Sequence, residues 1–510
     1  MNTDVLIIGS GPIGATYARL ISEQKPNAKI LMIDLGPRLT KIAGQHIKNI
    51  ENEQERESAQ IASQGDSRKA YPLITINERA MAAQKGTISA DLLARPGTHL
   101  VTSNIEDLSI NEMPAASLSS NVGGMGAHWT CACPRPGNEE RINFIPEDDY
   151  ERIFSKAEEL LCVTQKAFPE SAEGNAILNI VGDIFRDKLS ANRQVQPMPL
   201  ACVPDDNAGQ YWVGSDVILG DLVHEKKNFT ILSDTICRKL IYENGKVCGA
   251  LIEHLPDKKQ EEITAKIVIV AADALRTPQL LWASKIRPKA LGHYLNEHPF
   301  IFTFVELHEN LVDKSIAPMY DQTKRSEPTI GVFWVPFDAP NHPFHCQIMH
   351  MDVSPLKIET NGNPKHIVGL GYGCLKESRF EDHIVFSETE KDYLGMPKMN
   401  FKYEFTPKDL AQIEAAKIMQ AKVASAFGKV IKEGEQTTMP TGTSLHYSGT
   451  IRMGETNDGT SVCDTYSKVW GFDNLFVGGN GVIPVATTSN PTLTSVALAV
   501  RSAEKVIELL

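Results

Sequence analysis

Val5 to Ile8 is a short apolar run ending at a glycine, the pattern of a strand buried on both faces of a parallel sheet. Ala15 to Glu23 then carries apolar residues at helical spacing, and Lys29 to Asp34 (K-I-L-M-I-D) reads as a second strand. This β-turn-α-β run takes about 30 residues, the length of one crossover unit. Residues 40 to 120 are mostly polar and carry little periodicity, and Glu51 to Arg56 reads as a solvated helical face. Asp148 to Cys162 and Asn175 to Leu189 have helical period.

From Asn228 to Ala271 the pattern changes to strands: F-T-I-L, T-I-C-R-K-L-I-Y, V-C-G-A-L-I-E and I-T-A-K-I-V-I-V-A-A. Asn244-Gly245 between two of them is a hairpin signal. A helix is expected at Thr277-Pro278-Gln279-Leu280-Leu281, with Pro278 in its first turn. Residues 300 to 440 alternate strand-like stretches (I-F-T-F-V-E-L, G-V-F-W-V, F-H-C-Q-I-M) with Pro- and Asn-rich loops, and Leu410 to Phe427 is helical. Near the end, Asn474 to Gly479 is a strand running into glycines, and Thr494 to Leu509 is a C-terminal helix. No internal repeat is visible.

The 510 residues are 42% hydrophobic and 22% charged, enough apolar material for two or three domains. A net charge of −12 argues against nucleic acid and anionic membrane surfaces as partners. Nine cysteines in no framework spacing read as reduced thiols of a cytoplasmic protein. No apolar run reaches the roughly 18 residues of a membrane span. The first strand begins by Asp4, which leaves no room for a cleavable leader.

Three motifs carry chemistry. Gly9-Ser10-Gly11-Pro12-Ile13-Gly14 follows a strand and opens a helix, the arrangement that lets backbone approach a pyrophosphate at a helix N-terminus. Asp34, at the end of the second strand, suits adenosine ribose hydroxyls and disfavours a 2′-phosphate. The motif does not separate FAD from NAD. Second, Gly123-Gly124-Met125-Gly126-Ala127-His128-Trp129-Thr130-Cys131 suggests backbone laid against a flat ligand, although a histidine beside a tryptophan is as readily a packed core residue. Third, Ser444-Leu445-His446 and Ser489-Asn490-Pro491-Thr492 offer a proton acceptor and an amide next to a helix N-terminus; Asn490 is equally well an N-cap. His342, His345 and His350 lack the acidic or cysteine partners of a metal site, and no metal is expected.

Read in order, these segments resemble the glucose-methanol-choline oxidoreductases, and within them the pyranose oxidase branch of bacterial pyranose oxidases and C-glycoside 3-oxidases. The resemblance rests on V-L-I-I-G-S-G-P-I-G-A-T-Y-A-R-L, G-G-M-G-A-H-W-T-C-A-C-P-R, H-P-F-H-C-Q-I-M, S-G-T-I-R-M-G and N-L-F-V-G-G-N-G-V-I-P…N-P-T-L-T. It implies an α/β fold: a Rossmann-like FAD-binding domain (1–78, 115–300 and 445–510) with a second α+β substrate domain on an antiparallel sheet (301–444 with parts of 79–114). It implies an FAD-dependent oxidase of a C2 or C3 hydroxyl of a pyranose sugar or glycoside, giving a keto-sugar and, with O2, hydrogen peroxide. The alternative is a dehydrogenase that passes electrons to a quinone or protein carrier. His446 is then the base, and Asn490 positions the same substrate oxygen. Thr130 and Gln347 are substrate contacts, joined by Asp352 from a stretch that departs from the fungal substrate loop. FAD falls to the glycine turn, Asp34, the 123–131 segment, Cys237, Gly479, Asn480, Asn490, Pro491 and Thr492. Covalent attachment through His128 stays open, because Gly126-Ala127 replaces the fungal Ser-Thr before it. The arginine expected near Leu375 is absent, with Lys376 beside it. A homo-oligomer is left open.

Overall fold

The computed structural model describes residues 1–64, 97–101, 112–205, 209–224, 228–312, 329–351, 367–431 and 436–510. The N-terminal run forms strand β1 (Asn2–Ile8), followed by helix α1 (Pro12–Gln24) and strand β2 (Ile30–Ile33). The turn between β1 and α1 requires glycine for two separate reasons. Gly9 has φ +108°, and a Cβ there would lie 2.2 Å from the Ala271 carbonyl oxygen. A Cβ on Gly14 would lie 2.0 Å from the Gly9 carbonyl, so its absence lets the helix pack down on the turn.

Strands β3 (Phe229–Leu232), β4 (Thr235–Glu243), β5 (Lys246–His254) and β6 (Gln260–Val270) complete most of the first sheet, in the order β4-β5-β6-β1-β2-β3. β1 pairs in parallel with both β6 and β2, with Ile7 opposite Ile269 on one side and Met32 on the other. Its Val5, Leu6 and Ile7 are fully buried, each contributing about 1.5–3 kcal/mol of apolar transfer. The short strand Leu475–Val477 returns from the far end of the chain to pair with β6, which also forms an antiparallel hairpin meander with β5 and β4. The hairpin turn falls at Asn244 and Gly245, both with positive φ, as the dipeptide predicts.

Helix α2 spans Asp273–Ala283, so it begins earlier than expected and Pro278 lies inside it, not in its first turn. Two side chains explain the earlier start. Asp273 Oδ1 accepts from the backbone N–H groups of Leu275 (2.6 Å) and Arg276 (2.9 Å), capping the helix start. The carbonyl of Ala274, which the missing Pro278 N–H leaves without its helical donor, accepts instead from Thr450 Oγ1 at 2.5 Å.

The second sheet is antiparallel. Its main strands are β7 (Phe300–Leu307), β8 (Thr329–Val335), β9 (Phe344–Met351) and β10 (Ile367–Cys374), in the order β7-β10-β9-β8. Ile301, Val305, Ile348, Leu370 and Tyr372 face a core closed by helix α3 (Pro407–Phe427) through Ile413, Val423 and Phe427. The alternate residues face the other way. Phe300, Phe302 and Phe304 of β7 and His345, Gln347, Met349 and Met351 of β9 line a cleft between the two sheets. β10 carries Gly369, Gly371 and Gly373 on that face, and the rings of Phe300 and Phe302 lie where side chains of Gly371 and Gly369 would project (2.7 and 2.9 Å from their ideal Cβ positions).

Candidate active site

The cleft holds about 540 Å³ and runs from the Gly9–Ile13 turn to the second sheet. At the first end, Gly9, Gly11, Pro12, Ile13 and Asp34 line it. The α1 N-terminus, with Gly11 as N-cap, has no side-chain cap and opens onto this space. Asp34 is buried, and one carboxylate oxygen accepts from Ser10 N (3.1 Å) and Ser10 Oγ (2.5 Å), the other from Gly36 N (2.9 Å). Burial raises its pKa to about 6. Ser10 Oγ in turn accepts from Gly123 N at 2.8 Å, tying the first glycine turn to the second glycine segment.

Along the middle of the cleft stand Gly124, Met125, His128, Trp129 and Thr130, with Cys237 opposite and Gly479, Asn480 and Thr492 from the C-terminal stretch. His128 Nε2 is 3.2 Å from Ser119 Oγ, and burial lowers its pKa to about 4. Trp129 donates its indole N–H to the Val213 carbonyl at 2.8 Å. Thr130 is exposed to the cleft. Gly14, Gly123, Cys131 and Pro491 lie outside the lining: Gly14 serves helix packing, and Gly123 sits against Gly44. Asp352 and most of the 79–114 stretch lie outside the described residues.

At the far end the side chains of His446, Asn490 and Gln347 meet. Asn490 Nδ2 is 3.4 Å from His446 Nε2, and Gln347 Nε2 donates to Asn490 Oδ1 at 2.6 Å. The Gln347 amide also lies 2.9 Å from His345 Nε2, and Trp334 donates to His345 Nδ1 at 3.1 Å. Asn490 is therefore no N-cap: the C-terminal helix (Thr492–Leu509) takes Pro491 at its start, without a side-chain cap, and the Asn490 amide is turned to the histidine. Protein surrounds the His446 ring although one edge is open to the cleft, and lost solvation holds its pKa well below 6.5. His345 is held low in the same way.

Three residues behind this cluster have no sequence signature. His298 Nε2 lies 3.0 Å from His446 Nδ1. Glu297 is buried at the side and accepts from Gly442 N, from Ser444 N (2.9 Å) and from Ser444 Oγ (2.6 Å), which fixes the turn before His446. Leu445 in that turn has φ +61°, a conformation costing a non-glycine residue about 1–3 kcal/mol. Glu140 accepts from the backbone and hydroxyl groups of both Thr488 and Ser489, fixing the turn before Asn490. A Glu-His pair before a strand and a glutamate in a polar loop look ordinary in sequence; only the fold aims them. Lys376, by contrast, is buried in an ion pair with Asp382 (2.5 Å) and does not reach the cleft.

The residues present fit a dinucleotide with a flat ring. A Cβ on Gly11, whose φ is ordinary, would meet nothing nearer than the Gly123 carbonyl at 3.8 Å. Nothing among the described residues therefore demands glycine there, and the open space beside an uncapped helix N-terminus is where a pyrophosphate would need backbone alone. Among the described residues no cluster of His, Cys, Asp and Glu could hold a metal, all nine cysteines are free, and no helix is long and apolar enough to cross a membrane.

A dinucleotide fold whose cleft ends at a His–Asn pair, with Gln347 of the second sheet beside it, defines an oxidoreductase built around a bound redox cofactor. Family models described as GMC oxidoreductase match residues 137–300 and 385–499, and the chain belongs to that FAD-dependent family. It is 43% identical to a C-glycoside 3-oxidase of Microbacterium trichothecenolyticum, over 99% of this chain and 96% of the relative. A pyranose 2-oxidase of Tricholoma matsutake is 31% identical, over 100% and 94%. The fold is shared with formate oxidase (TM-score 0.68, 12% identity, 100% and 98% covered) and with pyridoxine 4-oxidase from Mesorbium loti (TM-score 0.62, 16% identity, 99% of each chain).

Proposed function

We propose that this chain is an FAD-dependent oxidase of a secondary hydroxyl of a pyranose sugar or glycoside, with dioxygen as the electron acceptor and a keto-sugar and hydrogen peroxide as products. The observation that carries the reading is the 3.4 Å approach of Asn490 Nδ2 to His446 Nε2 at the end of a cleft that starts on the glycine turn. The names of relatives that align over nearly the whole chain point the same way.

When bound, FAD supplies a hydride acceptor that dioxygen can reoxidise. In this reading the Gly9–Ile13 turn, Asp34, residues 124–130, Cys237, Gly479 and Asn480 hold it. His446 is neutral near pH 7 because burial disfavours its charged form, so it is competent to take the hydroxyl proton. Without that acceptor, removal of hydride from the carbinol carbon would leave a protonated carbonyl. Asn490 donates to the same substrate oxygen and is itself held by Gln347. The uncapped start of the C-terminal helix, where Thr492 lines the cleft, favours negative charge by about 0.3–1 kcal/mol.

In this reading the substrates are glycosides in preference to free monosaccharides, and C3 is the carbon oxidised; two observations support it. Phe300, Phe302, Met349 and Met351 give the second sheet an apolar face beside Gln347, and the C-glycoside 3-oxidases are the relatives with the higher identity. The experiment is oxygen uptake and peroxide release with D-glucose and phenyl β-D-glucopyranoside, with NMR of the product to place the carbonyl. Reduction of a quinone without oxygen uptake would turn the reading to a dehydrogenase. Acid precipitation tests attachment: flavin in the pellet of the parent protein but in the supernatant of His128→Ala assigns His128 as the point of linkage, and flavin in the supernatant of both makes the cofactor non-covalent.

A further inference from the structure

The hydrogen bonds behind His446 form a chain with one consistent proton assignment. His298 Nδ1 lies 3.1 Å from the Thr487 carbonyl oxygen, which can only accept, so His298 carries its proton on Nδ1. A neutral His298 therefore presents a lone pair at Nε2. That atom faces His446 Nδ1 at 3.0 Å, so the second ring must carry its proton on Nδ1. His446 is left with its lone pair on Nε2, the atom that Asn490 approaches. The opposite assignment would set the lone pair of His298 Nδ1 against those of a carbonyl.

We propose that His298 is a positioning residue that fixes the tautomer of His446 and, when His446 receives the substrate's hydroxyl proton, stabilises the resulting positive charge. The inference rests on the function proposed above. In the step concerned, the substrate O–H bond breaks, an N–H bond forms at His446 Nε2, and the electron pair stays on the substrate oxygen. The Nδ1–H of the imidazolium remains bonded to His298 Nε2, whose ring is polarised by the Thr487 carbonyl on its far side.

The surroundings leave this work to His298. Among the described residues the other titratable neighbours are His345, across the cleft on β9, the carboxylates of Glu297 and Glu140, and the phenols of Tyr403 and Tyr447, which donate to the Glu297 and Gly442 backbone carbonyls. Both carboxylates are engaged by loop amides and hydroxyls: Glu297 by Gly442 and Ser444, Glu140 by Gly137, Thr488 and Ser489. β10 presents only Gly373 to the His298 ring, whose Cδ2 lies 3.4 Å from the ideal Cβ position. His298 is 5% exposed, and burial lowers its pKa to about 4, so the resting pair is neutral.

The test is anaerobic stopped-flow bleaching of the flavin in the full-length holoenzyme, with phenyl β-D-glucopyranoside as probe, across a range of pH. A His298→Leu variant should keep its flavin spectrum and its half-saturating probe concentration while the plateau rate falls about 100-fold. Losing the acceptor for Nδ1–H makes the imidazolium less stable, so the acid limb of the rate profile should move down by about one pH unit. His298→Gln offers an oxygen to Nδ1–H but a poorer acceptor than imidazole, and should recover about tenfold of the rate with a smaller shift of the limb. An unmoved acid limb in His298→Leu would assign His298 a purely structural role. Should that variant lose its flavin, His298→Gln decides: wild-type plateau and limb would overturn the inference. His446→Ala separates this from the function itself, because undiminished bleaching there removes the base. Slow bleaching in His446→Ala beside an unmoved limb in His298→Leu sinks only the role of His298.

Discussion

The two ends of the cleft are built on opposite principles. At the glycine end one stretch of about 30 residues supplies nearly everything, and its function depends on side chains that are missing: a turn at Gly9, a packing contact at Gly14 and open space at Gly11. At the His446 end the groups turned to the cleft are side chains, drawn from separate stretches around residues 298, 345, 446 and 490 and held from behind by backbone groups and by Glu140. Backbone shape can hold a phosphate whatever its neighbours' protonation. A proton acceptor needs burial, a fixed tautomer and a fixed loop, and each of these comes from a different part of the chain.

The largest expected effect separates the two ends outright. His446→Ala should retain FAD and lose about 100- to 10,000-fold in flavin reduction. A variant that turns over normally would show that the catalytic end works by shape, as the glycine end does. Next in size is a pair within the glycine turn. Gly9→Ala places a Cβ 2.2 Å from a backbone oxygen at φ +108° and should destabilise the fold by about 3 kcal/mol or more. Gly11→Ala meets nothing within 3.8 Å of its Cβ, so apoprotein stability should stay within about 0.5 kcal/mol while FAD binding weakens at least about tenfold. Thermal melts with and without added FAD distinguish the two. Full flavin retention in Gly11→Ala would deny that the open space belongs to a cofactor.

The same contrast explains what was legible in the sequence. β1, α1 and β2 follow from local pattern because each is specified by its own residues. β10 was not read, since I-V-G-L-G-Y-G-C puts glycine at every second position and looks like a loop. The structure gives the reason: rings from the neighbouring strand β7 lie over Gly369 and Gly371 and supply the side chains that β10 lacks. Pro278 misled for a similar reason, as the donor that replaces its missing N–H, Thr450, lies far along the chain. His446 and Asn490 stand out as a motif and Gln347 only through the resemblance, and the structure brings the three together, whereas nothing in the sequence marks His298, Glu140 or Glu297. An alternation or a spacing records what a segment does for itself, and these three act on segments up to about 350 residues away.

The smallest effect is a difference in the pH dependence of stability, and it tests whether the catalytic end really is held neutral. Among the described residues seven histidines have pKa values lowered chiefly by burial: His46 to about 3, His128, His298 and His342 to about 4, His293 below 6.5, and His345 and His446 well below it. Unfolding lets each take up a proton below about pH 6.5, so each costs stability as pH falls. Four carboxyl groups oppose them, with pKa values raised to about 6 (Asp34 and Asp216), to about 7 (Glu297) and above the ordinary value (Asp273). They bind protons only in the folded chain, and their contribution is lost as pH rises through the same window. The histidines outnumber them, so denaturation midpoints should fall on acidification from about pH 6.5 to about pH 4.5, by on the order of 1–4 kcal/mol per unit. His298→Leu removes one of the seven and should flatten that slope by about 1 kcal/mol per unit. Urea midpoints at three pH values for both proteins measure it. An unchanged slope in the variant would mean that His298 is already protonated in the folded chain, and the lone pair assigned to its Nε2 would not exist.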